Sequence, residues 1–536
     1  MAALLRYSPE RYAADFPQAD AMNAFVARHA ERIIGALSGF DRLVFRGTVR
    51  QLAHGAGVDS FLGYRRIRLK DVSAYAQRLT HQIREKTEQI AAAHERPVLY
   101  LESSQISKED TARAILQQQP VTEGLICSLS CVEPCRSVQV GPEPDSKRLE
   151  VHPRLRTCLH YYHDYLHRRF GCMHVRLQTW FPFTVQVGLN GREWRCRRLD
   201  AGTVPYERRD NTLAWGADFA RAQGWLGEQV KTNWPRALRQ LRRGGHPLHG
   251  TFFPEPNMQY YWSVFEMEWA SDLAFDRPAA LAALYRPLTH QAITHFGAGD
   301  VMRFLGRKIN GHFKGEVISD FKNRPEGIRV KHGGNRNSVK VYDKQASVLR
   351  VETTINQPRD LKAFRRPEGN PKGKRRWRPV RKGVADIGRL AQIAQATNDR
   401  YYAALASLQD RTPLHKVVDK ICRRTSLKGR RVRALQPWSE PDASLLRAVN
   451  RGEFVLSGFR NRDIRAQLYP SAATPEQRKR AAAKVGRLLR ILRAHRIIKK
   501  VATSNRYQVT KRGRLILTAI LAARDANITD LVKEAA

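Results

Sequence analysis

Hydrophobic and polar positions recur with two periods along this chain. Apolar residues return every three or four positions in "AMNAFVARHAERIIGAL", "DVSAYAQRLTHQIREKTEQIAAAHE" and "SKEDTARAILQQQ", which predicts helices. Ser107 is placed to cap the last of these, with Asp110 at its third position. "DRLVFRGTV" and "RPVLYLES" have strand composition, the second reading as a buried strand. This alternation predicts an α/β N-terminal domain over residues 1–150.

The pattern then changes. "MHVRLQTWFPFTVQVGLNGREWRCRRLD" reads as strand, turn, strand, because Asn190–Gly191 is a strong hairpin signal between alternating runs. His174, Arg176 and Gln178 share one face there, followed by Trp180, Phe181 and Phe183. Such a face suits either base stacking with phosphate contact at Arg176, or a half-buried strand with a core of aromatics. Residues 215–300 read as helices, and "NMQYYWSVFEMEWASDLAF" places its aromatics at helical spacing. Strands return in "RPEGIRVKHGGNRNSVKVYDKQASVLRVETTIN", with a mobile basic loop expected at 332–337 that includes Arg336. The central domain, 151–360, is therefore expected to be α+β with strand hairpins.

Residues 361–382, "LKAFRRPEGNPKGKRRWRPVRK", combine Pro and Gly with many cations and predict a flexible basic arm. Lys374, Arg375, Arg376, Trp377 and Arg378 are its candidate nucleic-acid contacts. A helical connector follows over 383–435. From 440 to 536 the pattern gives three helices, two short strands and a closing helix, the order of a winged helix-turn-helix. Lys484, Arg487 and Arg490 lie on its third helix beside Lys479 and Arg480, and Arg506 lies near the wing. The expected fold class is multidomain α+β: mixed α/β N-terminal and central domains with a C-terminal winged helix.

Composition sharpens the choice of partner. The 536 residues carry 94 Lys and Arg against 50 Asp and Glu, a formal net charge of +44, which favours a polyphosphate because neutralised phosphates release counterions. DNA or structured RNA is the expected partner. No apolar run is long enough to span a membrane, and the start of the chain lacks an apolar signal core, so a cytoplasmic protein with no membrane partner is expected. Seven cysteines argue for a reducing compartment. Cys127, Cys131 and Cys135 lie close together, and Cys158, His152 and His160 are within reach. Their spacing departs from zinc knuckles, so zinc is not expected.

The stretch "SVKVYDKQASVLRVETTIN" offers the sharpest candidate chemistry. Arg350 and Glu352 share one strand face, and Lys340 and Tyr342 share a face of the partner strand. A carboxylate beside cations suits a metal-assisted phosphodiester site, with Mg2+ or Mn2+ on Glu352. It also suits cross-strand ion pairing without catalysis.

The C-terminal "LLRILRAHRIIKKVATSNRYQVTKRGR" resembles the MarR-type winged helices of bacterial regulators. The whole chain resembles a widespread bacterial protein family of no established function, through Val339–Lys344, Leu349–Thr354 and Met173–Phe183. "KVYDKQASVLRVET" is also distantly similar to the strand pair of phage and plasmid rolling-circle replication initiators. That resemblance implies a metal carboxylate at Glu352, with Arg350 in the same motif, and a nucleophilic tyrosine at Tyr401 or Tyr402. It implies a strand-nicking endonuclease of a mobile-element or phage-like system, with Lys340 and Arg350 on phosphate. The competing expectation is a non-enzymatic DNA-binding regulator or the partner of a structured RNA.

Overall fold

The computed structural model describes residues 25–143, 148–209, 212–306, 316–324, 327–367, 369–370, 372–408, 414–451, 454, 458–501 and 504–525. Two compact units emerge. Met1–Arg286, Asp320–Lys331 and Arg336–Asp399 form the first; Pro287–Ser319, His332–Asn335 and Arg400–Ala536 form the second. The fold is multidomain α+β, with one large mixed sheet and several small ones. No helix among the described residues is long and apolar enough to cross a membrane.

The strands up to Ile355, in chain order, begin with β1 (Ile33–Val49), β2 (Val98–Tyr100), β3 (Gly124–Pro142), β4 (Leu149–His167), β5 (Gly171–Gln178) and β6 (Val185–Asn190). A small hairpin, β7 (Tyr206–Arg209) and β8 (Thr212–Gly216), precedes β9 (Tyr260–Phe275). β10 (Val317–Arg324), β11 (Gly327–Gly334), β12 (Asn337–Lys344) and β13 (Val348–Ile355) complete the set. Eleven of them make one sheet in the order β10-β11-β12-β13-β9-β1-β6-β5-β4-β3-β2. β3 and β4 pair from Gly124↔Leu166 to Pro142↔Leu149, so the domain boundary expected near 150 falls inside a hairpin. β2 is an edge strand, parallel to β3, and Tyr100 on it is exposed rather than buried.

β9 corrects the helical reading of 257–275. Its inward residues are Trp262, Val264, Met267 and Trp269, a spacing of two, three and two. The step of three arises at a bulge: Val264 pairs with Phe45 and Glu266 with Val44, which leaves Phe265 as an extra residue. A bulge changes the parity of a strand, and the resulting seven-residue separation of Trp262 and Trp269 imitates a helical face. β1 begins earlier than its sequence suggests, at Ile33, so only residues 25–28 of that first predicted helix are helical among those described.

Asn190–Gly191 also differs from expectation. β6 ends at Asn190, whose side chain accepts hydrogen bonds from the backbone N–H of Arg192 (3.0 Å) and Glu193 (3.2 Å) and caps the helix Gly191–Ala201. Gly191 is required by contact, since a Cβ there would lie 2.1 Å from the Phe40 carbonyl oxygen. The predicted cap at Ser107 holds: its Oγ accepts from Asp110 N at 3.2 Å.

Two predicted flexible segments are built into the fold. Residues 332–334 end β11 and Asn337 opens β12, leaving a two-residue turn with Asn335 at φ 59°. The arm pairs as β14 (Lys362–Arg365) with β15 (Arg376–Pro379), and the Lys382 carbonyl accepts from Val264 N at 2.7 Å.

The second unit contains the small hairpin β16 (Thr425–Leu427) and β17 (Arg430–Val432). After it come the helices Glu440–Asn450, Asn461–Leu468 and Pro475–Ala494, the paired strands β18 (Ile498–Lys500) and β19 (Tyr507–Val509), and the helix Lys511–Asp525. That is the element order the sequence predicts. Thr474 opens the helix Pro475–Ala494 with a capping box to Gln477. Leu445, Ile464, Val485, Leu489, Leu492 and Leu517 close a common core.

Candidate functional site

β12, β13, β9 and β1 bring one set of charges together on the sheet of the first unit. Lys340 pairs with Glu352 across β12 and β13, and Tyr342 with Arg350. On the other side of β13, Arg350 faces Asp272 of β9. Asp41 is the extra residue of a second bulge, because Phe40 pairs with Trp269 and Arg42 with Glu268. Bulges re-aim side chains, and this one turns Asp41 toward the same group: its carboxylate oxygen, with one each from Glu268 and Glu352, falls within a 4.8 Å cluster. Sequence reasoning missed Asp41 and Glu268. They come from strands separated by more than two hundred residues, and nothing local marks them.

The electrostatics are mutual. Lys340 Nζ lies 2.7 Å from Glu352 Oε1 and 3.0 Å from Glu268 Oε1. Tyr342 donates its hydroxyl to Glu352 Oε2. Burial alone would raise the Glu352 pKa, but Lys340 and Arg350, with the hydrogen bonds, hold it well below the carboxylate range. Glu268 moves the other way: burial and the Glu352 charge push it up to about 7 against the pull of Lys340. Burial likewise raises Asp41, although Arg192 Nη2 lies 2.6 Å from its Oδ2.

These facts correct two assignments and bear on a third. Arg350 is fully buried and its Nε and Nη2 donate to Asp272 Oδ1 (2.5 Å) and Oδ2 (2.6 Å), so it is part of an internal pair and not a surface hold on phosphate. Lys340 is the counter-charge of Glu352 and Glu268. As for a metal on Glu352, three hard oxygens suit Mg2+ or Mn2+, but the Lys340 ammonium already bridges two of them, and a cation would have to displace it. The donor set suits a hard ion in chemistry, with Lys340 as the competitor for the same oxygens.

Tyr401 and Tyr402 belong to the helix Ile387–Leu408, and both are 0% exposed. Within the second unit, Tyr401 packs against Phe296, Phe304 and His332, and its hydroxyl lies 3.0 Å from His332 Nε2. A phenol enclosed this way is not presented to a phosphodiester, which argues against Tyr401 as the nucleophile.

The candidate nucleic-acid residues separate into two groups. Arg176 is spent internally: its guanidinium binds Glu133 Oε2 at 2.8 Å and the Tyr162 hydroxyl at 2.9 Å. Arg506 is half-buried, with Nη1 3.5 Å from the Gly458 carbonyl. Arg336 is exposed, as are Lys374, Arg375 and Arg376, while Arg378 is partly covered. Trp377 lies on β15, and its side chain falls outside the described residues. Lys484, Arg487 and Arg490 are exposed on the helix Pro475–Ala494.

A basic, aromatic surface that the sequence did not reveal lies at the bulge of β9. Phe265 is 38% exposed and Tyr261 39%. The Arg46 guanidinium stands 4.2 Å from the Phe265 ring centroid, and Arg50 stands 3.9 Å from that of Tyr261. Arg46 Nε is buried without a hydrogen-bond partner among the described residues. Burial lowers its pKa, and so do Arg176, Arg136 and Arg336 around it. Lys382 is lowered by burial and by Arg359, Arg336 and Arg46. Like charges crowded beside exposed rings, Arg176 among them paired with Glu133, form a site for an anion with flat apolar parts. No family model, curated protein or solved structure significantly matches the chain, so its reading rests on this geometry.

Proposed function

We propose that this protein is a nucleic-acid-binding protein that works by binding rather than by tyrosine-dependent nicking. The observation that carries the reading is Arg46: a cation whose Nε has no hydrogen-bond partner among the described residues, crowded by Arg136, Arg176 and Arg336, and stacked on the exposed Phe265. A polyphosphate would relieve that repulsion, and its bases would find Phe265 and Tyr261. The cations of β14–β15 and of the helix Pro475–Ala494 would add phosphate contacts, the latter in the manner of a winged helix.

The test is a fluorescence-anisotropy titration of the full chain against single-stranded DNA, duplex DNA and RNA over a salt series. Arg46→Ala should lower the salt slope by about 0.7–0.9 for one lost phosphate contact. Phe265→Ala should weaken single-strand binding by about 1–3 kcal/mol and leave the slope unchanged. Unaltered affinity in both variants refutes the reading.

A second reading, metal-dependent strand cleavage, draws support from the convergence of Asp41, Glu268 and Glu352. It requires that Mg2+ or Mn2+ produce cleavage of single-stranded or supercoiled DNA by wild type and that Glu352→Gln lose it. Intact substrate with both ions excludes it.

A further inference from the structure

We propose that Cys135, Cys158 and His160 form a binding site for a soft divalent cation, zinc above all. β3 and β4 run antiparallel with Glu133 opposite Cys158, Cys135 opposite Arg156 and Cys131 opposite His160. In that register Cys135 and Cys158 are diagonal neighbours, and His160 follows Cys158 by two residues on the same face. The two sulfurs lie 3.2 Å apart, and Cys158 Sγ lies 4.0 Å from His160 Nδ1. All three residues are buried, and their ligand atoms fall within 4.8 Å of one another.

Tetrahedral zinc, with bonds of about 2.3 Å to sulfur and about 2.0 Å to nitrogen, holds two sulfurs about 3.8 Å apart and a sulfur and nitrogen about 3.5 Å apart. The sulfur pair is about half an ångström closer than this, a difference that small side-chain rotations supply. The imidazole is suited to the role. Nδ1 lies 3.1 Å from the Cys158 carbonyl, a contact that fixes ring and tautomer when Nδ1–H donates. Nε2 is buried and has no hydrogen-bond partner among the described residues.

Charge and donor type point to zinc rather than to a hard ion. On binding, each thiol loses its proton to solvent, and two thiolates with a neutral imidazole cancel the charge of the ion. Two sulfur donors with one imidazole nitrogen select zinc over Mg2+ or Mn2+. One position of the tetrahedron remains for water or another added donor. A disulfide between Cys135 and Cys158 is the rival fate of two close thiols, but it gives His160 no part. The sequence argued against zinc because the cysteine spacing fails on a helix or a knuckle. A strand pair gathers ligands differently, two residues apart on one strand and diagonally across to the next.

The experiment is a cobalt(II) titration of the reduced full-length protein, followed by displacement with zinc. Wild type should develop thiolate-to-cobalt charge-transfer absorption that saturates at equimolar metal and bleaches when zinc is added. Cys135→Ser and His160→Ala should each lose the band, while Cys172→Ser, at an exposed cysteine, should keep it. No absorption in wild type overturns the proposal, and so does a band that survives Cys135→Ser. Should a variant fail to fold by circular dichroism, the wild-type titration still decides, with peptide mapping for a Cys135–Cys158 disulfide that forms equally in the presence of zinc as an opposing result.

Discussion

Lys340 Nζ lies 2.7 Å from Glu352 Oε1 across the β12–β13 hairpin and holds a carboxylate that is only 2% exposed. Removing the cation would strand Glu352 and Glu268 together. Lys340→Met is therefore expected to cost about 3–5 kcal/mol, the range for breaking a buried pair from one side. Urea unfolding measures it. Repeating the measurement with Mg2+ adds information: if the carboxylates accept a metal, the ion restores part of the loss in the variant and does nothing for wild type.

Acid should weaken the first unit. Burial lowers His160, His163 and His249 to about 4 from an unfolded value of 6.5. Between those values the unfolded chain binds more protons, so stability is full above about pH 6.5 and falls toward about pH 4. Glu268 has the opposite sign. Its folded pKa of about 7 exceeds the ordinary 4.5, so its contribution is present below that value and lost as pH rises through 7. Glu268→Gln should thus gain on wild type between about pH 5 and about pH 8 in paired urea titrations. A constant difference across that window contradicts the assignment.

What the chain revealed before folding follows from range. Ser107 capping Asp110 N, the helix Val72–Ala93 and the element order after residue 440 were legible because their determinants are local. β9 was not, because one bulge residue, Phe265, shifts the parity of its inward side chains. The partners of Glu352 were hidden for a different reason. Lys340 and Tyr342 sit on the adjacent strand and could be found by period two, whereas Glu268 and Asp41 arrive by strand order and a second bulge. Tyr401 shows the converse: its place along the chain suited a nucleophile, while the fold encloses it.

Tyr401→Phe tests that conclusion. The substitution keeps the ring among Phe296 and Phe304 and removes the hydroxyl from His332 Nε2. Leaving a buried polar atom without that partner is expected to cost about 1–3 kcal/mol of stability. Nucleic-acid affinity should stay within about twofold of wild type, and no covalent nucleotide adduct should form on wild-type protein. An adduct on Tyr401 by mass spectrometry would reinstate the nicking mechanism.

The cations of β14–β15 and those of the helix Pro475–Ala494 should act differently on binding. Lys374, Arg375, Arg376 and Arg378 lie on or beside a two-stranded hairpin rich in Pro and Gly, a setting that does not hold side chains in register with base edges. Replacing all four with Ala should weaken binding to unrelated sequences alike and lower the salt slope by up to about 3.6. Lys484, Arg487 and Arg490 instead project from a capped helix whose opposite face, Val485, Leu489 and Leu492, is fixed in the core. A rigid helix can hold side chains in register with a groove, so the triple Ala variant should lose discrimination between sequences as well as salt dependence. Gel-shift titration of both variants against a panel of duplexes separates the two. Equal loss across the panel for the helix variant would reduce that helix to a phosphate contact, and sequence-selective loss for the hairpin variant would reverse the assignment.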